Sequence, residues 1–184
     1  MARTIKFSKE DILEKSVEFI KEKGYSNLTV RELAKYIGCS TQPIFKNYEN
    51  FDMYKDDLKF YLRKDYSSFI RKYIDIKDYL YTISYAYAFY AKKEPNVFFS
   101  LFMADLAGSR TVREVINTDR NMETIKAMTT QYNISLEDAE KVYRDVRFYT
   151  HGMATQLCVQ SIKLSEEEIK KLISNNIYIN LKGV

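Results

Sequence analysis

The sequence predicts an all-α protein. Five glycines and two prolines in 184 residues leave few of the turns that a sandwich or a doubly wound sheet requires. Apolar residues instead recur at helical spacing along nearly the whole chain. Serine or threonine followed three residues later by an acidic residue, the start signal of a capped helix, occurs at Ser8 and Asp11, Thr29 and Glu32, Ser135 and Asp138, and Ser165 and Glu168.

Taken in order, Ile12, Leu13, Val17, Phe19 and Ile20 form an apolar stripe that opens after Ser8 and closes at Gly24, giving a first helix. Thr29 opens a second, with Val30, Leu33, Ala34 and Ile37 inward, and Gly38 ends it after two turns. A third starts after Ser40. A fourth runs from Phe51 or Asp52 to Tyr73 with Leu58, Leu62, Phe69 and Tyr73 inward. Further helices are predicted near residues 76–93, 96–107, 111–131, 135–162 and 165–181, punctuated by Pro95, Gly108, Asn133 and Ser165. The period breaks at residues 47–52. That break separates a head of three helices, residues 1–50, from a helical body of about six, residues 51–184, with the fourth helix as connector.

Composition narrows the class further. With 46% apolar and 29% charged residues the chain can bury a core, and disorder is not expected. Cys39 and Cys158 lie far apart with no close cysteine pair or histidine run, so neither a disulfide framework nor a zinc site is indicated, and no metal or other cofactor is expected. The opening MARTIKFSKED has no apolar signal segment, and the longest uncharged stretch, residues 79–91, is shorter than the roughly 20 residues of a membrane span. A cytoplasmic protein with a buried aromatic helix, and no membrane partner, is expected. The net charge of +4 permits a nucleic-acid partner without arguing for one, so local geometry must decide.

That geometry lies in "TVRELAKYIGCSTQPIFKNY". Ala34 is the small residue where two helices can touch, Leu33, Ile37, Cys39 and Ile44 meet the apolar requirement of a helix-turn-helix, and Gly38 sits where the sharp turn needs a left-handed residue. With Ser40 as cap of the Gln42 N–H, Pro43 falls at the third helical position, where no intrahelical hydrogen bond is lost. Ile44 then points inward, and Thr41, Gln42, Phe45 and Lys46 share the opposite face.

Those residue types suit a major groove. Gln42 can present its amide to adenine, Thr41 its hydroxyl and methyl, Lys46 can reach guanine or phosphate, and Phe45 can touch a thymine methyl. Arg31 is placed to reach the groove edge. Backbone anchoring is expected from the Thr29, Ser40 and Tyr48 hydroxyls and from helix N-termini, with Lys46, Lys55, Arg3 and Lys6 adding charge. A packed helical pair that binds nothing would satisfy the same apolar positions.

The segment "TVRELAKYIGCSTQPIFKNYENFDMYKDDL" resembles the DNA-binding segment of the TetR family of one-component transcription regulators. The likeness covers roughly the first quarter of the chain. It departs from the family at Phe45, where tyrosine is usual, at Asn47, where an aromatic residue or histidine is common, and at Phe51, where a lysine is frequent. With Glu49 nearby, these changes imply modest non-specific affinity for DNA. The resemblance implies a divergent all-helical body that binds a small effector and forms a homodimer.

The body is rich in aromatic residues, 16 tyrosines and 11 phenylalanines in the whole chain, concentrated in "YLYTISYAYAFYAKKEPNVFFSLFMADLAG". They can simply fill a core. Alternatively Tyr81, Tyr85, Phe98, Phe102, Met103 and Met122 line a cavity, with Asp105 as anchor for a cationic ligand or as a cap or surface residue. The effector would be lipophilic, aromatic or cationic. Tyr149 and His151, beside Gly152, are counted with this pocket, although a lone histidine also suits a hydrogen-bonded core position. By the same resemblance the last two helices, carrying Val142, Val146, Tyr149, Met153, Leu157, Ile169, Leu172 and Ile173, correspond to a four-helix dimer interface, with packing inside one chain as the alternative. A dimer can place two reading helices about 34–36 Å apart on a palindrome.

The function expected is a ligand-responsive repressor that binds a palindromic operator in double-stranded DNA and is released by its effector. A DNA-binding architectural or division-related protein of the same fold, without an effector, is the alternative. Enzyme chemistry is not expected, because no nucleophile-base pair, metal cluster or glycine-rich phosphate loop is recognisable.

Overall fold

A computed structural model describes residues 7–103, 111–116 and 118–184, without the side chain of Arg120. Arg3, Lys6 and Asp105 lie outside the described residues, as does the end of the helix expected at 96–107. The described residues are helical, with no strand among them: α1 Lys9–Lys23, α2 Val30–Ile37, α3 Gln42–Asn47, α4 Phe51–Arg71, α5 Tyr79–Lys93, α6 Pro95–Phe102, α7 Val112–Ile116, α8 Asp119–Tyr132, α9 Leu136–Cys158 and α10 Glu166–Lys182.

Helix starts follow the short-range polar signals. Ser8 and Asp11 form a reciprocal capping box, with the Ser8 N–H donating to Asp11 Oδ2 at 2.8 Å and the Asp11 N–H donating to Ser8 Oγ at 3.1 Å. Ser165 and Glu168 do the same for α10, and Ser135 caps α9. Several boundaries differ from expectation, α4 among them, which ends at Arg71 and not Tyr73. The stretch expected to be one helix at 111–131 is two, because the Thr118 hydroxyl accepts from the Asn121 N–H and restarts the chain as α8. A 3₁₀ turn, Ile76–Asp78, precedes α5, and α9 stops at Cys158, four residues early.

The chain forms two compact units. The first holds the described residues of Met1–Ser67 and Asn96–Ala107, so it is larger than the 1–50 head read from the sequence. Its core is Ile12, Leu13, Phe19, Ile20, Leu28, Leu33, Ile44, Leu58 and Leu62. Here α1 is the hub, packing on α2 and α3. It is tied to α4 by the Lys9–Asp57 and Lys21–Asp65 ion pairs, the latter 2.7 Å long.

The second unit holds residues 68–95 and the described part of 108–184. Its centre is α5, in which every residue from Ser84 to Ala91 is buried. A helix apolar on all sides must be covered on all sides. α9, α10 and α8 supply that cover. Among the described residues no helix is long and apolar enough to cross a membrane.

Candidate nucleic-acid interface

The first unit presents α2 and α3 around a tight turn. Thr29 caps α2, its Oγ1 accepting from the Glu32 N–H at 3.1 Å. Leu33 and Ala34 are buried. Gly38 ends the helix in the left-handed conformation, φ 80° and ψ 34°, and donates its N–H to Ala34 O at 3.0 Å. The Cys39 N–H also reaches Ala34 O, at 2.9 Å, so the turn closes on one carbonyl.

The third helix begins at Gln42, not after a Ser40 cap. Thr41 takes the αR conformation at the N-cap position and offers no side-chain cap, while its carbonyl accepts from the Ile44 and Phe45 N–H groups. The Ser40 cap proposed for Gln42 is therefore not formed. Pro43 falls at the second helical position, where a missing N–H is still harmless.

Ile44 is buried at 3% exposure, so the opposite face is turned out. Gln42, Lys46 and Phe45 are exposed, Phe45 to 65%. Thr41 and Pro43 are half-buried beside them, and Arg31, Thr29 and Ser40 are exposed on the preceding segment. The structure thus places the amide of Gln42, the phenyl of Phe45 and the ammonium of Lys46 on one accessible face of a short helix.

Tyr48 does not join them. Its ring packs edge-on to Tyr54 at 5.2 Å, the Lys9 ammonium lies 4.9 Å over it, and the residue is 5% exposed. The hydroxyl is enclosed, without a hydrogen bond of good geometry, and cannot reach a phosphate as expected. Burial, with the Asp57 carboxylate nearby, pushes its phenol up. The physical reason is the extended backbone at Tyr48, φ −138°, which ends α3 and turns the ring inward. Asn47 is also engaged, its Nδ2 donating to Pro43 O at 2.8 Å and Phe7 O at 3.4 Å. Lys55 is half-buried, 5.1 Å over the Phe51 ring and 3.4 Å from Asp52.

No protein-family model and no curated protein sequence matches the chain. Among solved structures, it is similar to the crystal structure of a TetR-like transcriptional regulator from Rhodococcus sp. RHA1, with a TM-score of 0.65 over 100% of both chains and 11% sequence identity. The chain has the TetR-like fold. At that identity the likeness concerns the fold.

Within this TetR-like fold, the described candidate effector residues divide between the two units. Phe98, Phe102 and Met103 belong to the first unit, where Phe98 is fully buried and packs on Phe102 at 4.9 Å. In the second unit, Tyr81 lines a groove of about 350 Å³ with Asp78, Tyr132 and Tyr178. Tyr149 lines a different one, about 650 Å³, with Phe148, Gln156 and Leu172. Tyr85 stacks on Phe89 and donates to Glu166 Oε2 at 3.2 Å; burial, then the Glu166 charge, push its phenol up to about 12. Met122 is half-buried on α8. His151 Nδ1 lies 2.9 Å from the Tyr87 hydroxyl, and burial, then Arg147, hold its pKa below 6.5.

The dimer candidates need correction. Val142, Val146, Met153, Leu157, Ile169 and Ile173 are buried within the single chain, where α9 and α10 pack on each other and on α5. They are unavailable to a partner. Leu172 is half-buried and Tyr149 exposed, and the large apolar residues of these helices left exposed are Leu136, Phe148, Tyr149, Tyr178 and Ile179. The residues expected at the interface include Tyr149 but not Leu136, Phe148, Tyr178 or Ile179. Among the described residues no group of three or more His, Cys, Asp or Glu is placed to hold a metal ion.

Proposed function

We propose that the chain is a ligand-responsive DNA-binding transcription regulator, a repressor that binds a palindromic operator as a homodimer and is released by a small-molecule effector. The observation that carries this is the outward face of α3, with Gln42, Phe45 and Lys46 accessible behind the Gly38 turn and Ile44 fixing its direction. A glutamine amide and a lysine ammonium are the side chains that hydrogen-bond base edges and phosphates. Residues 1–50, with Lys55 of α4, carry the DNA contacts, Thr29, Arg31, Ser40, Thr41, Pro43 and Lys55 flanking the reading face. Residues 51–184 carry effector binding and dimerisation.

Partner contacts fall to Phe148, Tyr149, Tyr178 and Ile179, apolar groups left in water by the single chain. The effector is lipophilic, aromatic or cationic, matched to the tyrosine-rich body, and it acts through α4. Coupling of about 1–3 kcal/mol changes operator affinity roughly five- to 150-fold. The site of action is the cytoplasm, and no enzymatic step is assigned. One observation favours a regulator without an effector. Phe69, Tyr73, Tyr85, Phe89 and Tyr90 pack ring against ring, as aromatics that fill a core do.

Selection of duplexes from a random pool by the purified chain tests the proposal. A palindromic sequence should emerge, bound by a dimer at least 10³-fold more tightly than a scrambled duplex. Native mass spectrometry of the same preparation should show a retained small molecule. If every duplex binds alike, regulation through an operator is excluded; a dimer that selects DNA but retains and responds to no small molecule supports the second reading.

A further inference from the structure

Phe45 is the largest apolar group on the reading face, and its 65% exposure leaves most of the ring in water. Its neighbours on that face are polar: Gln42 one turn before it, Lys46 beside it and Thr41 at the start. A phenyl group so exposed adds little to the buried core of the head. Ile44, its chain neighbour, already supplies the buried anchor.

We infer that Phe45 is a specificity-determining residue that reads the C5 methyl of thymine, and that each operator half-site is centred on A·T pairs read by Gln42 and Phe45 together. The inference rests on the DNA-binding function proposed above. Of the four bases, thymine alone shows an apolar group on the floor of the major groove. Guanine N7 and O6, adenine N7 and N6, and cytosine N4 all present polar atoms there. A phenyl ring pressed against those atoms strips their water and returns no hydrogen bond, so it disfavours them while it favours the methyl. Gln42, three residues earlier and on the same side of the helix, presents the donor-acceptor pair that matches adenine N6 and N7. The six residues of α3 include no arginine, the side chain best suited to guanine. Lys46 is left for phosphate or for a flanking guanine.

The test is a deoxyuridine scan of the duplex that the wild-type chain selects from a random pool. Deoxyuridine pairs as thymidine does and lacks only the methyl. At one or two thymines in each half-site the replacement should weaken wild-type binding about fourfold, the worth of one buried methyl. Phe45→Ala should bind the thymidine duplex more weakly and show no further loss with deoxyuridine. Phe45→Leu, still apolar, should keep part of the sensitivity. Because Phe45 is exposed, the melting temperature of both variants should match wild type. A selected duplex in which no deoxyuridine position matters, or whose half-site centres are G·C, overturns the inference while leaving the DNA-binding function standing. Failure to prefer any duplex over a scrambled one overturns both.

Discussion

The Tyr54 hydroxyl donates to Ser16 Oγ across 2.8 Å in the core of the first unit, and Ser16 Oγ in turn donates to Ile12 O at 2.6 Å. Both side chains are buried. This two-step relay joins α4 to the backbone of α1, the helix against which α2 and α3 pack. It therefore fixes the frame on which the reading face stands.

Tyr54→Phe removes one buried hydrogen bond and leaves Ser16 with an unmet acceptor. The expected loss is about 1–2 kcal/mol in chemical denaturation, and a double-mutant cycle with Ser16→Ala should show coupling above about 0.5 kcal/mol. Burial raises the Tyr54 phenol above its ordinary value of 10.0. The unfolded chain therefore ionises first. Stability should be unaffected below about pH 10 and fall above it, by up to about 1.4 kcal/mol per pH unit for this group, and Tyr54→Phe should flatten that alkaline slope.

Tyr48→Phe should behave in the opposite way. The hydroxyl it removes is enclosed and poorly satisfied. Thermal unfolding should show no loss of stability or a gain of up to about 1 kcal/mol, and affinity for any selected duplex should stay within twofold of wild type. A loss of affinity with stability intact would place that hydroxyl on a phosphate.

Gly38→Ala is expected to destabilise by about 1–2 kcal/mol although a methyl group there meets nothing within 4 Å. The strain is in the backbone, at φ 80°, and not in space. Equilibrium denaturation measures it.

Phe148→Glu and Ile173→Ala separate the two faces of the last helices. Phe148 is 48% exposed, so its replacement should leave monomer stability within about 0.5 kcal/mol and shift sedimentation from dimer towards monomer. Ile173 is fully buried, and its truncation should cost about 2–5 kcal/mol.

These contrasts also show what a single sequence can reveal. The α1–α2–turn order was legible because capping signals and a left-handed glycine act over three or four residues, as at Ser8, Thr29 and Gly38. The direction of Ile44 was legible for the same reason. Tyr48 was misjudged because a tyrosine carries both a large apolar ring and a polar tip, and only tertiary packing decides which prevails. Val142, Val146, Ile169 and Ile173 were recognised as a covered stripe, but periodicity says which side of a helix is covered, not whether the cover is its own chain or another. The break before α8 hid in Thr118, a single capping residue inside an apolar pattern. Ser16 left a faint mark, a small polar residue within an otherwise apolar face of α1.

On the function proposed here, the outward face of α3 reads base pairs. It is tested by the ratio of affinities for a selected and a scrambled duplex, measured by fluorescence anisotropy for Gln42→Ala, Phe45→Ala and Lys46→Ala, with Ile76→Ala, in the exposed turn before α5, as control. Gln42→Ala should lower the ratio roughly five- to 150-fold, Phe45→Ala should lower it less, and Lys46→Ala should weaken binding to both duplexes. The control should leave the ratio unchanged. Equal ratios for wild type and all three α3 variants would contradict that reading.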